Sequence, residues 1–159
     1  RHTRLQGDWS SDVCSSDLVG VDQTTDSGIR ISNKGGNVEK DEVIISGSRL
    51  TKHKTIEDKL NFLSDKKEDY IFCLATDKND WSRGRKVYYF IVVDSKKLDY
   101  HEQQWEENIG VRGASKDKLT GWSCICENYS AKICKSMSDQ LWTTVKLDYC
   151  EEIHEIVVV

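Results

Sequence analysis

Seven consecutive positions, Val87-Tyr88-Tyr89-Phe90-Ile91-Val92-Val93, carry an aliphatic or aromatic side chain without interruption. Side chains alternate between the two faces of a strand, so a strand built from this run turns apolar surface both ways. It is expected near the middle of a sheet that is covered on both sides. A second run, Tyr70-Ile71-Phe72-Cys73-Leu74-Ala75, is also of strand length. Neither approaches the roughly 20 apolar residues of a membrane-spanning helix, and no membrane partner is expected. The chain has no proline, shows no internal repeat or heptad pattern, and offers no obvious linker.

Other segments fit around these two. Residues 28–46 read as a β-hairpin, Ile29-Arg30-Ile31-Ser32 turning through Asn33-Lys34-Gly35-Gly36-Asn37 into a strand ending at Val43-Ile44-Ile45, with the paired glycines supplying the reversal. The clearest helix opens at Thr55, with Asp58 three residues on, a variant of the capping box. Ile56, Leu60 and Leu63 then form one apolar stripe. Residues 76–86 read as a polar loop, 96–107 as a helix, and 109–121 as a glycine-containing loop. A second hairpin is expected from 122–127 and 130–135, with Asn128-Tyr129 as its turn, followed by strands at 141–147 and 153–159. The expected fold class is α/β, a β-rich mixed sheet with one or two covering helices.

The first residues call for separate treatment. Arg1-His2-Thr3-Arg4 and Asp8-Trp9-Ser10-Ser11-Asp12-Val13-Cys14-Ser15-Ser16-Asp17-Leu18 resemble one reading frame of the adapter oligonucleotide used in short-read sequencing, with Leu5-Gln6-Gly7 where the variable index falls. The competing reading is a Ser/Asp-rich disordered arm. Residues 1–18 are therefore expected to be adapter-derived and not a domain, and 19–159 to form a single truncated globular domain. His2, Trp9 and Cys14 carry no functional weight on this reading. The formal net charge is −4; without the two arginines and three aspartates of that segment it is −3. A mildly acidic chain does not coat DNA with bulk charge, although a nuclease can confine positive charge to one cleft. Five cysteines remain, an odd number in a chain that needs no staples, which points to free thiols and a cytoplasmic setting.

Most enzyme signatures are missing: there is no Walker loop, dinucleotide-binding glycine pattern, HExxH motif or nucleophile elbow. His53, His101 and His154 are too far apart in sequence to suggest a shared site. Cys124, Cys126 and Cys134 raise the question of zinc, but their spacing is not that of paired knuckles. On a strand, Cys124 and Cys126 share a face with Trp122, so they are expected in the core.

The more suggestive stretch is Lys40-Asp41-Glu42-Val43-Ile44-Ile45-Ser46-Gly47-Ser48-Arg49-Leu50-Thr51-Lys52-His53-Lys54-Thr55. A strand entered by carboxylates, followed by basic residues and a capped helix, resembles the core of the PD-(D/E)xK nucleases. The later segments Gly121-Trp122-Ser123 and Lys132-Ile133-Cys134-Lys135-Ser136-Met137-Ser138-Asp139-Gln140-Leu141-Trp142 resemble the C-terminal part of some type II restriction endonucleases. The resemblance loosely covers about residues 41–159. It implies a restriction-endonuclease-like fold, a Mg²⁺ cofactor that polarises the scissile phosphate and activates water, and duplex DNA as the partner of a homodimer.

On that reading Glu42 is the metal carboxylate, with Asp41 as its catalytic neighbour, and Asp22 or Asp26 stands for the family's earlier aspartate. The family's lysine position is held by Ile44. Ser48, Arg49, Lys52 and Lys54 would contact phosphates beside a helix N-terminus, as would Arg83 and Arg85 from a second basic loop. Lys135 and Ser138 would add DNA contacts, and Gln140 would read an adenine edge. Trp142 is expected in the core. Two other functions remain open: a non-catalytic DNA-binding module of a mobile element, which would account for Ile44, and a β-rich carbohydrate- or peptide-binding module stacking its ligand on Trp81, Trp105 and Tyr129.

Overall fold

The computed structural model describes residues 21–65, 68–77, 79, 83, 84 and 86–158; the adapter-like segment, Trp81 and Arg85 lie outside them. Ten strands form one sheet: β1 (Gln23–Thr24), β2 (Arg30–Glu39), β3 (Glu42–Arg49), β4 (Tyr70–Asp77), β5 (Lys86–Asp94), β6 (Glu106–Ile109), β7 (Leu119–Ile125), β8 (Tyr129–Cys134), β9 (Gln140–Lys146) and β10 (Glu152–Val158). Their spatial order is β10-β5-β4-β2-β3-β9-β8-β7-β6, with β1 added to β2. Among the described strands only β2 and β4 pair in parallel. A parallel pair needs a crossover, and here β3 and the helix α1 (Ile56–Ser64) supply it. The expected β-rich mixed sheet with helical cover is therefore observed.

The sheet is coiled. Five residues join β9 to β10, yet those strands stand five places apart, about 24 Å in a flat sheet at the usual strand spacing. Six Cα steps span roughly 20 Å fully extended, and part of this link is a tight turn. Only a curled sheet closes that gap. The link is tied at both ends, by Leu147 N–H to Asp41 O at 2.8 Å and Glu151 N–H to Val92 O at 2.8 Å. Its Leu147, Tyr149 and Cys150 pack on the core.

That core lies on the inner face. It joins Val43 and Ile45 of β3, Ile71, Cys73 and Ala75 of β4, and Ile91 and Val93 of β5 to Ile133, Leu141 and Val145 from the other side of the curl. The apolar run of β5 is not central, as its composition suggests, but second from the sheet edge. Its inner side chains Val87, Ile91 and Val93 are fully buried. On the outer face Phe90 is half-buried, meeting Phe72 edge-on at 5.2 Å.

The first hairpin turns later than expected. β2 runs straight through Gly35 and Gly36, and the reversal falls at Lys40-Asp41, where Lys40 takes a left-handed φ of 56°. Gly36 serves close packing instead: a Cβ there would lie 2.5 Å from Ile44 O and 2.8 Å from the Cys73 Sγ. Residues 96–107 do not form the expected helix but two short 3₁₀ turns, Ser95–Lys97 and Tyr100–Glu102, before β6. Those turns bury Leu98 and Tyr100 against the sheet.

Helix α1 starts as expected, with Thr55 Oγ1 accepting the Asp58 N–H at 3.1 Å. Glu57 and Asp58 place negative charge in its first turn, the favourable end for the dipole. Its expected stripe packs inward, Leu63 within the core and Ile56 and Leu60 against it. The deepest position is Lys59, 1 % exposed. Its ammonium donates to His53 O, pairs with Asp139 at 3.2 Å and sits 5.5 Å from the Trp122 ring centre. Asp139 is held for this in a left-handed turn beside Ser138, and its own carbonyl accepts the Leu50 N–H at 3.0 Å. One buried ion pair thus ties the helix, the loop before it and the β8–β9 turn together.

Candidate functional site

Strand β3 carries the two halves of the expected nuclease site to opposite ends. Glu42 is its first residue, exposed, with Glu39 and Lys146 as Cα partners on the neighbouring strands. Arg49 is its last. Six residues of extended chain separate them, roughly 20 Å even with the bulge between Ser46 and Arg49. Asp41 stays with Glu42 at the turn, exposed, its carbonyl occupied by the Leu147 N–H. Among the described residues no group of three or more His, Cys, Asp or Glu side chains could hold a metal ion.

The remaining expected contacts also scatter. Gln140 opens β9 opposite Arg49, and its side-chain amide donates to Gly47 O at 3.3 Å, bracing the bulged strand. Ser138 is exposed in the left-handed turn, and the Lys135 ammonium lies 5.5 Å from the Trp122 ring centre. Arg83 is exposed on a different loop, and Arg85 lies outside the described residues. Trp142 is not in the core as expected: it is half-buried on the outer face, its indole N–H enclosed without a hydrogen-bond partner among the described residues.

Of the aromatic trio Trp81, Trp105 and Tyr129, the first lies outside the described residues, and the other two are hydrogen-bonded within the fold. Tyr129 is buried and its hydroxyl donates to Asp99 at 2.8 Å; burial, with Asp99 and Cys126 beside it, pushes its phenol above the ordinary range. Trp105 is half-buried with its indole N–H donating to Tyr100 O at 2.8 Å. Trp122 and Cys124 are core, as expected, and burial raises the Cys124 thiol to about 12.

What the fold does build is a cavity of about 680 Å³ between α1 and the concave sheet, within the size range of small-molecule sites. Its floor is Ile45, Ile71, Leu141 and Thr143, with Leu98 and Tyr100 at the side. Phe62 and Leu63 of α1 form its roof. The Tyr100 hydroxyl is hydrogen-bonded to Thr143 Oγ1 at 2.7 Å, and burial raises the Tyr100 phenol above its usual value, so this floor pair stays neutral. Ser48, Arg49, Lys52 and His53 also border the cavity. His53 is stacked on Phe62 at 4.5 Å, fixing the loop over the roof. Glu68, at the far wall, accepts the Ser95 hydroxyl at 3.1 Å.

No family model, curated protein or solved structure matches the chain.

The geometry can enclose an apolar body, since its floor and roof are largely aliphatic and aromatic, and can draw an anion toward it. Lys34, on the inner face of β2, also lines the cavity. Sequence reading placed Lys34 in a turn and so missed it. Its signal was the alternation of Ser32, Lys34, Gly36 and Val38, in which Ser32 and Val38 are buried. Phe62, Tyr100 and Thr143 had no distinguishing pattern, because they converge only through the curl.

Proposed function

We propose that this chain is a binding module for a small, mostly apolar molecule, held between α1 and the concave face of the sheet. The observation that carries the reading is the cavity itself: a largely apolar enclosure with a few convergent polar groups, bordered by basic side chains. Five free thiols among the described cysteines suit a reducing cytoplasm. No helix among the described residues is long and apolar enough to cross a membrane.

The test uses N-phenyl-1-naphthylamine, a neutral fluorophore that brightens in apolar surroundings. Saturable binding with one site per chain is expected, and Thr51→Trp, an exposed position bordering the cavity, should weaken it at least tenfold without altering the fold. Absence of saturable binding in the wild type overturns the reading.

A second reading has one specific support. Arg49, Lys52 and Lys54 are exposed beside the N-terminus of α1, a disposition suited to phosphate contact. A Mg²⁺-dependent restriction endonuclease, with the corresponding fold, would use this run on duplex DNA. Because Glu42 stands a strand length away, cleavage would require the carboxylate of one copy of a homodimer to meet the cations of the other. A mobility-shift titration on duplex DNA separates the two readings: DNA binding should weaken steeply with salt, whereas binding of a neutral apolar ligand should not.

A further inference from the structure

Two lysines project from the structural elements that meet around the inner space of this fold, and the described residues supply a counter-ion for only one. Lys59 has Asp139 at 3.2 Å, which offsets the cost of keeping an ammonium out of water. Lys34 sits on β2 with Cys73, a fully buried residue, as its Cα partner on β4. It lines the cavity with Ile45, Ile71 and Leu141. No described residue forms an ion pair with it. Two carboxylate residues, Asp65 and Glu68, also border the cavity; Glu68 accepts the Ser95 hydroxyl at 3.1 Å, and neither forms an ion pair with Lys34.

A lysine can reach water along its flexible stem, but a ligand in this cavity would cover that route. An unpaired ammonium would then be left against an aliphatic wall, a costly state unless the ligand brings the opposite charge. Arg49 and Lys52, exposed at the border, favour the approach of an anion through their field but remain hydrated.

Resting on the proposed binding function, we infer that Lys34 fixes the anionic end of the cavity's ligand, which is therefore an apolar molecule bearing a carboxylate or a comparable single anion. The apolar body lies against Phe62, Leu63 and Leu98. The polar end stays on the floor side, where Lys34 answers it.

Two fluorophores that share an arylamine body test this: neutral N-phenyl-1-naphthylamine and anionic 8-anilinonaphthalene-1-sulfonate. The wild type should prefer the anion by about tenfold, the effect of one charge-assisted hydrogen bond in a partly dry site. Lys34→Met should abolish that preference while retaining the neutral probe, whose binding reports an intact cavity, and Lys34→Arg should keep the preference. The double variant Arg49→Gln, Lys52→Gln should keep it as well.

Equal affinities in the wild type, a measurement that needs no variant, overturn the assignment of Lys34 and leave the cavity reading standing. A Lys34→Met protein that loses both probes equally also overturns it, because the side chain would then be packing rather than recognising charge. Loss of the preference in the Arg49/Lys52 variant alone moves the anion to the border and does the same. If the wild type binds neither probe, the cavity reading fails together with the inference.

Discussion

Ile91 of β5 and Ile153 of β10 are the same residue, paired directly across two neighbouring strands, and they meet opposite conditions. Ile91 has none of its surface exposed, whereas Ile153 shows 41 % of its own. The contrast extends along both strands: β5 buries Val87, Ile91 and Val93 completely, while every residue of β10 is exposed. Both strands were legible as strands from their apolar content. Their burial was not, because it depends on what lies over each face. Over the inner face of the sheet lie α1, the 3₁₀ turns after β5 and the link before β10; β10 itself, at the edge, has a neighbour on one side only among the described strands. Apolar composition identifies the element, and the coiling of the sheet decides which element becomes core.

The sharpest way to break this contrast is to loosen the cover. Asp139→Ala removes the carboxylate that accompanies the Lys59 ammonium and leaves that charge buried beneath α1. A loss of about 3–5 kcal/mol is expected, the range for stranding one partner of a buried pair. Urea unfolding checks it, and replacing both partners by apolar residues, Lys59→Met with Asp139→Leu, should recover much of the loss. A small cost for the single variant would mean that the helix is held by its apolar contacts alone.

Next in size is the covered isoleucine. Ile91→Ala deletes methyl groups from a site with no solvent access and is expected to cost about 2–4 kcal/mol, the transfer term plus a residual cavity. The same unfolding titration reads it as a lower midpoint with an unchanged denaturant dependence.

A smaller effect sits where β2, β4 and β5 meet at one end of the sheet. The Asp69 carboxylate is held below its ordinary pKa of 3.8 first by the Arg30 N–H at 2.9 Å, then by the Lys96 ammonium at 2.9 Å, with burial opposing. A depressed carboxylate contributes stability above its unfolded pKa and loses it as the pH falls through the lower folded value. Acid unfolding of Asp69→Asn should therefore show a shallower loss of stability below about pH 4, with the difference at neutral pH within about 1 kcal/mol for so exposed an ion pair. An unchanged acid limb would show that other carboxylates govern it.

How far the fold could be read ahead of the structure depended on whether the signal was local. The cap at Thr55 and the strands β4, β5, β9 and β10 depend on neighbours in sequence, and their positions agree closely with expectation; the second hairpin is present too, but it turns at Glu127-Asn128, and Tyr129, expected in the turn, opens β8. Gly35 and Gly36 misled because glycine serves both tight turns and close strand packing, and only the approach of Cys73 and Ile44 shows which role operates. Lys59 is hydrophilic by type and core by position, since its partner Asp139 arrives from 80 residues away. Glu42 and Arg49 show the same limit more simply: they are close in sequence but lie at the two ends of one extended strand. The cavity assembles residues from β2, β3, β4, β9 and α1, a convergence set by the curl.

The smallest expected effect tests the other half of the opening pair. Ile153→Ala removes the same methyl groups as Ile91→Ala, but from a side chain that already meets solvent, so the cost should stay within about 0.5–1 kcal/mol, as for most exposed substitutions. The comparison is informative because the two side chains are identical and truncation to alanine leaves the backbone pairing of each strand in place, Ile91 with both Ile153 and Cys73 and Ile153 with Ile91, so the difference in cost reports burial. A cost near that of Ile91→Ala would mean that β10 is covered in solution, for among the described strands its outer edge has no partner beside Ile156, Val157 and Val158, a surface apt to take up another strand. Measuring the variant at two protein concentrations a hundredfold apart distinguishes these cases. A cost independent of concentration and small confirms an uncovered edge, while one that grows with concentration identifies the cover as a second copy of the chain and removes β10 from the exposed side of the contrast.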